Sequence, residues 1–330
     1  MDKLHKVEVQ NGPSEYISDI VLIDEKSQFL VTAWDGSLSQ FEYNPNLKEV
    51  RLIKKVVHEY ALLCCCYAFV LGKLRVYVGT VQGEIFLVDF ENSDFKPVLG
   101  NSTQLGVSKM VNVGNYTFIA SSWDGILQEI DMQDNAVIRT TKLENNTKVL
   151  AMDCVNNLLI LALTGKKIRW LNLPLNNNDR GEVTEVETGL KYQVRDIKLT
   201  LEGDGYVTSS IDGRVAVEYF EDDSRNFAFR CHRMNLVDMQ FVFPVNSLAF
   251  SPASHLLFTG GSDGCVSLWN LETHKKIKQF PKFNENSVVK LACNEDILVV
   301  GTSDDSFKTN AVVAEPLELQ SSRLYVLFKE

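Results

Sequence analysis

No apolar stretch in the 330 residues reaches the roughly 18 that a membrane-crossing helix needs, and the opening MDKLHKVEVQ lacks the hydrophobic core of a secretory signal. An intracellular chain is therefore expected. Cysteine is present but unpaired in pattern: there are seven, an odd number, and Cys64, Cys65 and Cys66 are consecutive. This fits neither a disulfide framework nor the C-x-x-C pairs of a zinc site, so all seven read as small, buried, reduced hydrophobes. The Asn-x-Thr tripeptides at Asn115 and Asn145 then read as chance matches, because glycosylation needs a secreted chain.

Catalytic signatures are missing too. There is no G-x-x-x-x-G-K-[ST] loop, no H-R-D with D-F-G, no H-E-x-x-H and no G-x-S-x-G. His5, His58, His232, His255 and His274 are scattered, and His232, beside Cys231, reads as structural. No enzyme activity, cofactor or metal is expected. Positive charge is also short: 33 Lys and Arg face 43 Asp and Glu, a net charge of −10. General affinity for nucleic acid or anionic membrane needs a basic face, so any basic site here has to be local.

What the chain has in abundance is repetition. FLVTAWDGSLSQFEY, VYVGTVQGEIFLVDF, FIASSWDGILQEIDM, LLILALTGKKIRWLNL, YVTSSIDGRVAVEYF, LLFTGGSDGCVSLWNL and ILVVGTSDDSFKTNAVV each place a turn between two alternating apolar runs. The turns fall at Gly36, Gly83, Gly125, Gly165, Gly213, Gly264 and Asp305, at intervals of 47, 42, 40, 48, 51 and 41 residues. Each unit has room for four strands and almost no helical periodicity. An all-β, seven-bladed propeller filling residues 1–330 as one domain follows. Two independent β-sandwiches are the alternative, but no linker separates two halves. RLYVLF at 323–328 and KVEVQ at 6–10 are left over, and pairing them in the last blade would remove an exposed sheet edge. The polar stretch 172–189 reads as a long outer loop between the fourth and fifth blades.

Two features ask for a ligand. Trp34 and Trp123 stand beside tight turns, where an exposed indole reduces solubility and gains little packing. Either each ring folds over its neighbour, or both serve a partner, for which Trp is a favoured anchor. Arg195, Arg214, Arg230 and Arg233 cluster in the fifth unit and its exit. They either pair with Asp196, Asp212, Glu218 and Asp238, or gather as an anion site. Surface pairs of that kind contribute roughly 0 to 1 kcal/mol. Arginine suits phosphate because its planar fork makes two charge-assisted hydrogen bonds, each worth about 1.5 to 3 kcal/mol. Arg195 reads as lying ahead of a first strand and Arg214 as following a turn; the family resemblance set out below implies that both share a rim with the two Trp residues. The reading is a switch that binds a phosphorylated peptide and rejects the unmodified one.

The units resemble WD repeats, GGSDGCVSLWNLETHKKI being the most typical, with Trp269-Asn270 where Trp-Asp often stands. YISDI, TAWDGSL, GLKYQVRD, SSIDGRVAVEYF, FAFRCHR, KFNENSVVK and TSDDSFKTNA extend the likeness along the whole chain. Together they resemble the Bub family of spindle-assembly-checkpoint WD-repeat proteins, in its budding-yeast form. That resemblance implies a nuclear, kinetochore-recruited adaptor. It would bind the GLEBS motif of a checkpoint kinase and its pseudokinase relative, and phosphorylated MELT repeats of an outer-kinetochore scaffold. It would also join the mitotic checkpoint complex that inhibits the anaphase-promoting complex, with no membrane or direct nucleic-acid ligand. On the same resemblance, Arg214 and Arg230 match positions that meet the phosphothreonine, with Trp34 binding the same peptide; Trp34, Arg195 and Trp123 match the groove for GLEBS or MELT peptide, Trp123 being a face residue associated with GLEBS binding, and the division of these three between the two ligands stays open. Two competitors remain. A hydrolytic propeller would turn over a phosphopeptide that a reader leaves intact. A GLEBS-binding messenger-RNA export factor at the nuclear pore would retain RNA at physiological salt, and the acidic balance and the fifth-unit motifs favour the checkpoint member.

Overall fold

A computed structural model of the protein describes residues 4–173, 184–252, 255–308 and 318–329. The first alternating run becomes two strands, Gln28–Ala33 and Ser37–Asn44, joined at Gly36. Gly36 has φ +75°, and a Cβ there would collide with the His58 carbonyl oxygen. Only glycine meets both demands. Ile17–Ile23 pairs on the inner side of this hairpin and Glu49–Val57 on the outer, giving a four-stranded antiparallel blade.

The arrangement recurs in seven four-stranded sheets. Each first strand touches the next first strand all the way round, including that of the seventh blade (Ser287–Cys293) against Ile17–Ile23. The sheets therefore close into a seven-bladed β-propeller. Seven apolar clusters fill the seven gaps between blades. The consecutive cysteines show the logic of period two: Cys65 faces the first blade, while Cys64 and Cys66 face the third. All seven cysteines are free, and burial raises the pKa of each of these three, keeping them as thiols. Among the described residues no helix is long and apolar enough to cross a membrane.

The N-terminal strand does complete the last blade. His5–Glu8 pairs with Arg323–Phe328, which in turn pairs with Ile297–Ser303. The seventh unit itself departs from expectation. The run after Asp305 is a short 3-10 turn, Ser306–Lys308, and the third strand arrives only at Arg323. Without a glycine to take positive φ, Asp305 is used instead as an acceptor for the Ser262 and Ser287 hydroxyls. The stretch 172–189 is likewise not all loop: Thr184–Glu187 is the outer strand of the fourth blade, pairing with Lys167–Asn172. The remainder of the expected loop, 174–183, lies outside the described residues.

A second structural device sits in the sixth blade. His232 Nδ1 lies 2.8 Å from Asp263 Oδ1, and its Nε2 lies 2.9 Å from Thr259 Oγ1, which accepts the Trp269 indole N–H at 3.1 Å. A carboxylate can only accept, so the proton belongs on Nδ1 and Nε2 accepts from Thr259. His232 is buried, as its structural reading required. Its replacement strands a carboxylate and a hydroxyl. His232→Ala is expected to cost about 2–3 kcal/mol and to lower the calorimetric melting temperature by several degrees; an unchanged melting temperature would show that this network does not hold the blade.

Candidate functional site

Every first strand breaks its register near its start, and that of the third blade does so again between Asn112 and Gly114. The skipped residues are Ser18, Leu63 and Ser108 in the first three blades and Leu150, Arg195, Asn246 and Val289 in the others. Such a bulge leaves one residue unpaired and redirects its side chain. All seven residues line a single basin of about 470 Å3 at the mouth of the central channel. Arg195 is thus inside its strand, Val194–Leu199, rather than ahead of it, and the bulge aims it at the basin. One of its terminal nitrogens donates to Asn246 Oδ1 at 3.1 Å.

Trp34 and Trp123 line the same basin. Each follows a second strand, and its backbone N–H bonds to the chain entering the first strand: Trp34 to Tyr16 O at 3.0 Å, Trp123 to Gly106 O at 2.9 Å. Trp123 is half-buried and lies over Gly106, where a Cβ would sit 2.7 Å from the indole ring. Trp34 is 39% exposed and packs edge-on to Tyr16, centroids 6.3 Å apart. Both readings of the indoles are partly met: each covers a neighbour and still presents a face.

Sequence reasoning missed most of the charge. Lys109, Lys148, Lys290 and Lys308 join Arg195 around the basin, against one carboxylate, Asp196. Lys109, Lys290, Asp19 and Asp196 each follow a bulge residue directly, so the pattern apolar, variable, Asp or Lys, apolar in ISDI, VSKM, VRDI and VVKL was the available signal. Lys290 Nζ lies 3.5 Å from Asp19 Oδ1. Burial works against the Lys290 charge, but Asp19 and Asp196 outweigh it and raise its pKa. Lys109 is pushed down by neighbouring Lys290 and by burial. Lys308 is an exposed residue, yet its ammonium packs on Tyr16 and donates to the phenol oxygen. Desolvation, with Arg195 and Lys290 nearby, lowers its pKa to about 8.

Arg214 and Arg230 are not in the basin. They lie farther out on the same edge of the fifth blade, directly opposite each other in the pairing of Arg214–Tyr219 with Phe227–Arg230. Arg230 therefore ends a fourth strand. Arg214 Nε is 3.1 Å from Asp212 Oδ2, so the salt-bridge reading holds for one member. Arg230 is exposed and has no ion pair among the described residues. Like charges directly opposite destabilise a sheet. Arg233 is committed elsewhere, to Asp212 O at 2.8 Å and Gln240 Oε1 at 2.9 Å, bracing a hairpin of Arg233–Asn235 and Gln240–Val242. No group of three or more His, Cys, Asp or Glu among the described residues is arranged to hold a metal.

Comparison with known proteins places this geometry. The family described as "WD domain, G-beta repeat" matches residues 240–270, the blade with the His232 network. The chain is 30% identical over 305 residues to the mitotic checkpoint protein bub-3 of Caenorhabditis elegans, covering 86% of this chain and 82% of that one. It is 28% identical over 283 residues to the Poly(A)+ RNA export protein of Schizosaccharomyces pombe, covering 83% and 77%. In fold it is similar to the solved structure of U3-55K, with TM-score 0.77 over 98% of each chain at 16% identity.

The basin chemistry is testable without a ligand. Competitive acetylation read by mass spectrometry is expected to show Lys308 half-reactive near pH 8, well below the usual lysine range of about 10.4. Titration together with the exposed lysines would mean that the ammonium is not packed as described.

Proposed function

The chain belongs to the Bub3 family of WD-repeat mitotic checkpoint proteins, and from that premise we propose that it is an adaptor that reads phosphorylated peptide. The observation that carries the proposal is the opposed pair Arg214 and Arg230. Two guanidinium groups repel across a strand pair until a dianion sits between them, and a phosphothreonine supplies that charge with three acceptor oxygens. Phosphorylated MELT repeats of an outer-kinetochore scaffold are the assigned ligand.

The basin is the second binding site in this reading. Five cations and two indole faces in a chain of net charge −10 favour a peptide with acidic and apolar side chains. GLEBS motifs of the checkpoint kinase and its pseudokinase relative are assigned there, over Trp34, Trp123 and Arg195. The protein then acts by binding rather than by chemistry. It carries its GLEBS partner to unattached kinetochores in the nucleus, and as part of the mitotic checkpoint complex it restrains the anaphase-promoting complex. The likeness to an RNA export protein supports a second reading, a GLEBS-binding export factor at the nuclear pore. RNA retention at physiological salt would favour it.

In a titration of labelled peptides, phospho-MELT is expected to bind on the order of a hundredfold more tightly than unmodified MELT, as two charge-assisted bonds allow. Arg214→Ala and Arg230→Ala remove that preference and leave the melting temperature nearly unchanged. Equal binding of both peptides to the wild type refutes the phosphate-reading role. Trp123→Ala is expected to weaken a GLEBS peptide and spare phospho-MELT.

A further inference from the structure

Tyr16, Trp34 and Phe307 come from opposite ends of the sequence and form a trio of rings. Their centroids are 6.3 Å apart for Tyr16 and Trp34, 5.6 Å for Tyr16 and Phe307, and 6.2 Å for Trp34 and Phe307. Toward the basin, Lys308 Nζ stands 4.3 Å from the Tyr16 centroid and 5.5 Å from that of Phe307. Away from it, the rings wall a separate groove of about 390 Å3.

The groove inverts the charge of the basin. Its charged lining groups are Glu15 and Asp304. The Asp304 oxygens accept the backbone N–H groups of Ser306 at 3.0 Å and Gln320 at 3.1 Å. Against the opposing effect of burial, these bonds hold its carboxyl below the usual range and so keep it ionised. Glu15 is exposed, with no ion pair among the described residues. Open aromatic faces beside unneutralised carboxylates attract a cation through the ring quadrupole and through charge. The chain displays that preference itself, because Lys308 holds its ammonium on these rings despite the loss of hydration.

We propose that this groove takes a lysine or arginine side chain from the same partner segment whose acidic residues enter the basin. The proposal rests on the adaptor reading above and adds a charge order to it. Tyr16 and Trp34 wall both cavities, so a peptide passes from one to the other across a single ring pair. At roughly 3.3 Å per extended residue, the cation lies about two to four residues from the acidic anchor. Arginine is favoured over lysine, because its planar guanidinium stacks on an indole.

The test uses the full-length chain and N-acetylarginine amide, with N-acetylcitrulline amide as the uncharged control. Four tryptophans give four indole N–H peaks in a 15N spectrum, and that of Trp34 is assigned by its disappearance in Trp34→Phe. A saturable shift of this peak is expected with the arginine probe and not with citrulline. Phe307→Leu and Glu15→Gln should each weaken binding roughly two- to fivefold. Equal responses to the two probes, no response to either, or an arginine response unaltered in both variants overturns the proposal. A second arm replaces each Lys and Arg of a GLEBS peptide in turn with norleucine or citrulline. One replacement, two to four residues from a carboxylate, should weaken binding to the wild type and have no effect on Glu15→Gln. A peptide that binds with no position so coupled overturns the proposed cation subsite. A peptide that does not bind at all, while the arginine response persists, overturns the adaptor reading and leaves the subsite standing.

Discussion

One break in strand register, repeated seven times, sets the position of everything at the channel mouth. A regular first strand would direct alternate side chains into the two neighbouring gaps, where the apolar clusters lie. The bulge frees one residue per blade from that alternation and points it along the axis. Because the seven sheets close on one another, these residues form a ring, and the next residues form a second ring with Asp19, Lys109, Asp196 and Lys290 among them. Residues as distant in sequence as Ser18 and Val289 thereby become lining of one cavity.

Charge then divides the face into three. At the mouth, cations outnumber carboxylates; repulsion by Lys290, with burial, lowers the pKa of Lys109, and burial, with repulsion by Arg195 and Lys290, lowers that of Lys308. Farther out on the fifth blade, two arginines face each other and only one has an acidic neighbour. Beyond the aromatic trio the sign reverses at Glu15 and Asp304. The gaps between the sheets are filled by apolar residues, with Lys290–Asp19, Arg195–Asn246 and the Leu248 N–H to Asp196 bridging neighbouring blades at the mouth, whereas Arg230 and Glu15 make no ion pair among the described residues. Selectivity for ligands can therefore vary across the face while the scaffold stays constant.

Blade count, the six turns at glycine and closure by the N-terminal strand were readable, because glycine at positive φ and period-two alternation are local signals. The position of Trp34 and Trp123 beside turns was readable for the same reason, while their sharing one face was implied by the resemblance to WD-repeat propellers. The strand position of Arg230 was not readable: the FRCHR run looks like a connector until its pairing with Arg214 is known, and pairing is not local. Lys109 and Lys290 were missed because a lone lysine in an apolar strand carries no motif, and its direction depends on the bulge. The Tyr16 and Phe307 contact was hidden by distance along the chain. In the seventh unit the repeat pattern misled, since Asp305 occupies a turn position without making the turn.

The last blade also imposes an order in time. Its outer strand, His5–Glu8, leaves the ribosome long before the strand that receives it, Arg323–Phe328; Glu8 and Arg323, which are ion-paired, are 315 residues apart. At translation rates of about 5 to 20 residues per second, the opening segment waits roughly a quarter of a minute to a minute for its partner. The sheets form in turn as an open arc during that interval, and once the sixth ends at Phe280 the outward faces of the first and sixth border the gap until the last blade arrives. The nascent arc, rather than the finished disc, is where this architecture is most exposed to aggregation and most dependent on chaperones.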